Sequence, residues 1–217
     1  SKMGSGSGQV VEEVKELLMA CHYAHMMHVC SDRNLNELAL KISITLLRYS
    51  GILPSDKLFY QAGMLAKANG ENNLAFVLLN RYVDLTEAIE DGDISAIDNA
   101  DFAEATNVPF DENVPAKQYL PDEDSREEVR DWVLSVCMDA KIEQALPGRP
   151  PDGELEGNIY DGLYASDHPT CIITGFPVAR RHLLRLDNAQ ANKTDWNTYV
   201  RETKTDPWTG QPQNPQY

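Results

Sequence analysis

The sequence predicts a mainly α chain, stacked helical hairpins followed by a small α+β unit, and three observations carry that prediction. Apolar residues recur at steps of three and four through residues 9–90, the period of a helix face. A stretch rich in Asp, Glu and Pro follows at 91–124. Beyond residue 158 short apolar runs alternate with Gly, Pro and Asp, the pattern of strands and turns.

The first eight residues, SKMGSGSG, offer little that could pack and read as a tag or linker. Over 10–30 a helix is expected, with Val10, Val14, Leu17, Leu18, Cys21, Ala24, His25 and His28 on one face, taken as the buried face. A second helix over 34–49 carries Leu38, Ile42 and Leu46 and closes at Ser50-Gly51 and Pro54. A third runs over 55–68 with Ser55 as the expected N-cap, and Asn69-Gly70 stops it; the fourth spans 72–89. Short connections make these antiparallel neighbours.

The last hairpin resembles a tetratricopeptide unit. Phe59, Ala62, Gly63, Ala66, Ala75, Leu79 and Tyr82 fall at that consensus spacing, with Gly63 and Ala75 where the two helices approach most closely. The first hairpin fits less well, having Met27 where a small residue belongs. Two such units would leave a long apolar end bare, so a longer helical array is implied.

Between 91 and 124 Pro109, Pro115 and Pro121 exclude a regular helix, while Phe102, Val108, Phe110, Val114, Tyr119 and Leu120 are spaced among carboxylates. Two readings stand: a disordered linker, or an extended strap whose apolar side chains dock on the helices. A helix is expected over 125–146, capped by Ser125 with Glu128 completing a capping box and with Val129, Trp132, Val133, Val136 and Ile142 on its apolar face. Residues 147–157, including GRPPDGEL, form a linker. The last unit, 158–217, offers a strand at Cys171-Ile172-Ile173, a turn at 174–177, a strand at 182–186, and a helix started by Asn192 with Asp195. Trp196, Tyr199 and Val200 form that helix's apolar patch, and TDPWTGQP closes the unit as a loop.

The chain has 217 residues, 42% of them hydrophobic, and a formal net charge of −15. That charge argues against nucleic acid and against direct binding to anionic membranes, because phosphates reward Lys and Arg. It is concentrated between 84 and 124, where Lys117 stands alone against many carboxylates. No apolar run approaches the roughly twenty residues that span a bilayer, and no secretory leader is evident, so a cytosolic protein is expected. Cysteines 21, 30, 137 and 171 have no disulfide-framework or zinc-knuckle spacing and are read as reduced thiols.

Two places invite a metal. Cys21 and His25 stand at i, i+4 with His28 one turn farther, but a tetrahedral site needs further ligands, and a packed helix face is the preferred reading. His168, Cys171 and His182 offer three ligands, one short of a closed zinc site. No cofactor is implied.

CIITGFP at 171–177 resembles the first loop of U-box domains, and TDPWTGQP at 205–212 resembles their second loop, with a hairpin and one helix between. The resemblance implies a zinc-free RING-like fold held by polar bonds, with Asp167, His168, Thr174, Arg180, His182, Lys193 and Asp206 as available members. It also implies that Ile173 and Pro207 touch a ubiquitin-conjugating enzyme, with Pro177 and Trp208 as neighbouring contacts for that enzyme or for ubiquitin. Gly210 stands where a basic residue commonly helps hold the thioester, a departure from the pattern. The same four residues also read as core and turn positions of a protein-docking knob.

DENVPAKQYLP, SREEVRDWVLSVCMDAKIEQALP and NKTDWNTYV, with CIITGFPV, resemble the C-terminal end of a subunit of intraflagellar transport trains. This resemblance implies a peripheral subunit of the B complex, located at the cilium or flagellum and basal body on the cytoplasmic side, with other train subunits as partners. Three functions compete: a scaffold without chemistry, a U-box-type ligase module, and a ubiquitin-binding module.

Overall fold

The computed structural model describes residues 5–95, 97, 102, 106–109, 115–139, 141–148 and 154–216. Its elements are α1 (Ser5–Asp32), α2 (Asn36–Leu46), α3 (Ser55–Ala68), α4 (Asn72–Asp91), α5 (Glu123–Cys137), β1 (Leu183–Arg185), β2 (Gln190–Asn192) and α6 (Lys193–Thr203). The chain is mainly helical with one small two-stranded sheet. Helices α1 to α5 pack each against the next.

α1 runs from Ser5, so helix begins inside the stretch expected to be a linker. Its buried face corrects the expectation. Ala20, Tyr23, Met26 and Cys30 are buried, whereas Val10, Val14, Leu17, Leu18, Cys21, His25 and His28 are exposed. At about 100° per residue the two sets lie on opposite sides of the helix. The large side chains Tyr23 and Met26 fill the core, and the smaller residues expected there face out.

α2 is shorter than expected, ending at Leu46 with a 3-10 turn over Leu47–Tyr49, and Leu38, Ile42 and Leu46 are buried as their spacing implies. Asn34, at φ 57, turns the chain between α1 and α2. α3 has the expected bounds, but Pro54 occupies the cap position, without a side-chain cap bond, and Ser55 is already helical. Gly63 lies at the α3–α4 crossing: a Cβ there would fall 2.6 Å from Leu79 side-chain atoms. Gly70, at φ 79, reverses the chain into α4.

Among the described residues of the acidic stretch, Phe102, Gln118 and Tyr119 touch the helices. Phe102 sets its ring on edge against Phe59, centroids 5.1 Å apart. The Tyr119 amide donates to the buried Asp56 carboxylate at 2.7 Å, and the Gln118 amide group donates to the Thr86 carbonyl at 2.7 Å. Phe110 and Val114 lie outside the described residues, as does the middle of the linker at 149–153. α5 starts two residues earlier than expected because Asp122 is its cap, accepting from the Ser125 amide and hydroxyl. It ends at Cys137, so Ile142 packs on the core from beyond the helix.

In the tail, residues 171–173 are not a strand: the segment turns at 172–174, closed by an isolated bridge between Thr170 and Pro177. The hairpin instead pairs β1 with β2, antiparallel, with Leu184 opposite Ala191. The Asn192 side chain accepts from the Thr194 and Asp195 amides and caps α6, whose Trp196, Tyr199 and Val200 are buried. Among the described residues no helix is long and apolar enough to cross a membrane.

Candidate functional site

The feature that organises the chain is the seam where the tail meets α1 and α2. Lys41, Thr45 and Arg48 recur at i, i+4 and i+7 on the α2 segment, one polar edge among buried apolar residues. Each reaches the tail. The Thr45 hydroxyl donates to the Thr174 carbonyl at 2.6 Å. Arg48 donates to the carbonyls of Gly162 and, at 3.3 Å, Gly175. Lys41 Nζ lies 2.9 Å from Asp195 Oδ1, and the Thr174 hydroxyl donates to Asp195 Oδ2 at 3.2 Å, so one buried carboxylate joins α2, the 171–177 loop and α6.

α1 adds a second edge. His22 Nε2 is 2.7 Å from the Ile172 carbonyl, which can only accept, so this nitrogen carries the proton. The imidazole also meets the Trp208 ring on edge at 4.9 Å. Tyr23 Oη donates to the Cys171 carbonyl at 3.4 Å. Arg33 donates to the Glu202 carbonyl at 3.1 Å. The tail therefore presents backbone carbonyls, and the helices supply the donors.

Burial sets the electrostatics. It pulls the His22 imidazole below its ordinary value, against the opposing bond to Ile172. It also lowers the Arg48 guanidinium, which stays charged at neutral pH. Burial and the neighbouring Asp195 push the Cys171 thiol up, away from the thiolate that would be nucleophilic. Burial pushes Cys30 up to about 12.

Ile173 has no exposed surface, and it lies between Ile172 and Thr174, whose carbonyls meet His22 and Thr45. Pro207 is buried as well, Pro177 is half-buried, and Trp208 remains 42% exposed. The loop at 205–212 is closed by a Thr205–Pro212 bridge and by Asp206, whose carboxylate accepts from the Trp208 and Thr209 amides at 2.8 and 2.7 Å. Beside it an open groove of about 410 Å³ runs to the tip of the β1–β2 hairpin.

Of the residues expected in a polar network, Thr174 and Asp206 make side-chain bonds within the tail's loops, whereas Arg180, His182 and Lys193 are exposed. The partners the sequence reading missed are Lys41, Thr45, Arg48, His22, Tyr23 and Asp195. The 41, 45, 48 spacing was the available signal. Cys171 accepts a 3.3 Å bond at its sulfur from the Asn192 amide, and Cys21 is exposed. Among the described residues no group of three His, Cys, Asp or Glu side chains converges to hold a metal ion.

The fold and the seam define a helical-hairpin array with a loop-rich module locked onto its first two helices. In sequence the chain is a homologue of one segment of intraflagellar transport protein 172. It is 41% identical over 206 residues, 94% of the chain, to Intraflagellar transport protein 172 homolog of Homo sapiens. It is 31% identical over 233 residues, the whole chain, to Intraflagellar transport protein 172 of Chlamydomonas reinhardtii, and 33% identical over 201 residues to the Drosophila melanogaster homolog. The chain spans about an eighth of the human relative's length, 12%. No protein-family profile matches it.

Proposed function

We propose that the chain is a protein-docking scaffold, the C-terminal part of a B-complex subunit of intraflagellar transport that serves cilium assembly and train turnaround. Its partners are other train subunits, it works at the cilium or flagellum and basal body on the cytoplasmic side, and it meets membrane only through those partners. The observation that carries this reading is the seam: a module held by seven side-chain donors and carboxylates to two helices presents a fixed surface, which suits docking. The helical hairpins are of tetratricopeptide type, a reading supported by Gly63 at its crossing with Leu79. The test is retention of purified B-complex subunits on the immobilised chain. Retention that Arg48→Glu abolishes supports the scaffold, and no retention of any subunit overturns it.

A second reading, a U-box-type module that recruits a ubiquitin-conjugating enzyme or binds ubiquitin, is favoured by one feature. The tail keeps the order loop, hairpin, helix, proline loop, with Trp208 exposed beside a groove. Burial of Ile173 and Pro207 weighs against it, since recruitment through them requires both to be uncovered. Incubation with activating and conjugating enzymes separates the readings. Ubiquitin chains that vanish in Ile173→Arg support transfer, and pulldown of ubiquitin without chains supports binding.

A further inference from the structure

The tail's formal charge is balanced, six carboxylates against six cations over 158–217, but its outward charge is not. Three of the carboxylates are bonded inward. Asp161 accepts from the Glu156 and Gly157 amides at 3.1 and 2.8 Å, Asp195 holds Lys41 and Thr174, and Asp206 accepts from the Trp208 and Thr209 amides. All six cations are exposed. Four of them, Arg180, Arg181, Arg185 and Lys193, belong to the β1–β2 hairpin and its flanks, where the sequence has one carboxylate, Asp187 at the tip. The strand register gathers them. Leu183 pairs with Asn192, so Lys193 follows that pair on one chain while His182 and Arg181 precede it on the other, and Arg185 stands two residues farther along β1, about 7 Å at 3.3 Å per residue. Among the described residues none of these four cations forms an ion pair, and no hydrogen bond or ion pair joins 180–189 to α1–α5. Arg181 Nε donates to His182 Nε2 at 2.9 Å, which leaves the two terminal nitrogens of that guanidinium open.

We propose that this hairpin strip docks a short, extended acidic segment of a partner protein, whose carboxylates are received by Arg180, Arg181, Arg185 and Lys193. A guanidinium takes a carboxylate through two parallel bonds, and a cluster of exposed cations draws such a segment in from solution. In an extended chain alternate side chains share a face and recur about every 7 Å. That repeat matches the step from the base of the strip to Arg185, so Glu or Asp at every second position meets the cations in order. The rest of the chain selects against larger polyanions. Its net charge of −15, concentrated at 84–124, repels the phosphates of a nucleic acid or an anionic bilayer, which extend far beyond the hairpin, whereas a short peptide meets the strip alone. Because 180–189 make no polar bond to the helices, occupation of the strip leaves the seam as it is.

The inference rests on the docking reading, naming the chemistry of one partner, yet it fails separately from it. Fluorescence anisotropy of a short labelled peptide of alternating Glu and Ser, titrated with the whole chain, is the test. Saturable binding is expected that weakens as salt is raised, disappears when Gln replaces Glu in the peptide, and falls by at least about tenfold in Arg180→Glu/Arg181→Glu. Both substitutions sit at exposed positions, so circular dichroism stays unchanged. Arg185→Gln weakens binding in the same direction, and Lys141→Glu, at an exposed cation outside the tail, leaves it unaltered. No saturable binding at low salt, equal affinity in the double variant, an equal loss in Lys141→Glu, or binding of phosphatidylserine vesicles or oligothymidylate in place of the peptide overturns the proposal. Failure to bind the peptide while train subunits are still retained removes the strip and leaves the scaffold standing.

Discussion

The Thr45 hydroxyl donates to the Thr174 carbonyl at 2.6 Å, and the methyl of the same side chain lies 2.2 Å from where a Cβ on Gly175 would fall. One residue of α2 both bonds the 171–177 loop and fixes how closely it approaches. Thr45→Val keeps the shape and removes the donor, leaving a buried carbonyl alone. The expected loss is about 1–3 kcal/mol in chemical denaturation.

Gly175→Ala should cost more. Its φ of 74 is left-handed, and the added methyl meets Thr45 at once. Left-handed strain and overpacking together predict roughly 2–5 kcal/mol. Thr45→Ala in the same chain removes the two nearest atoms, at 2.2 and 2.7 Å, and leaves its own Cβ at 2.9 Å and the left-handed strain, so the double variant should be less destabilised than the sum of the two singles. Additivity would contradict the contact.

Arg48 serves two carbonyls, Gly162 and Gly175, and Arg48→Met preserves its aliphatic stem while deleting every donor. Loss of about 2–4 kcal/mol is expected, with both acceptors left buried. Limited proteolysis should then cut first in 158–170, and wild-type resistance there in the variant would argue against the role.

His22 predicts a pH dependence. Its folded value lies below the ordinary one, so the folded chain favours the neutral ring, and the unfolded chain takes up the proton first as pH falls. The stabilisation is therefore full above the unfolded value of about 6.5 and declines below it. The groups facing His22 are the Ile172 carbonyl, Tyr23, Trp208, His25 and Asp206. His22→Gln should flatten the fall in melting temperature between neutral and mildly acidic pH. An unchanged slope would remove His22 from the cause.

The helices were legible because period, glycine stops and loop lengths are local properties, and α3 came out with its bounds intact. The buried side of α1 was not legible. Both sides carry apolar residues, and the choice between them is made by Tyr23 and Met26 finding partners in α2 and the tail, which are distant in sequence. The β1–β2 pairing escaped notice because Gln190, Ala191 and Asn192 have no strand propensity, and the Leu183–Asn192 register fixes them. For the site, the carboxyl-terminal loops were recognised, yet the groups that hold them lie about 130 to 150 residues away in the chain, on α1 and α2. Only the Lys41, Thr45, Arg48 spacing carried a trace of this in one dimension.

Hydrogen exchange read by mass spectrometry tests most directly whether tail and helices form one block. In the wild type, peptides covering 171–176 and 159–163 should exchange as slowly as α3 and α4. In Arg48→Glu both should accelerate together while α3 and α4 stay protected. Fast exchange of 171–176 in the wild type, or identical rates in the two proteins, would contradict a tail locked onto α1 and α2.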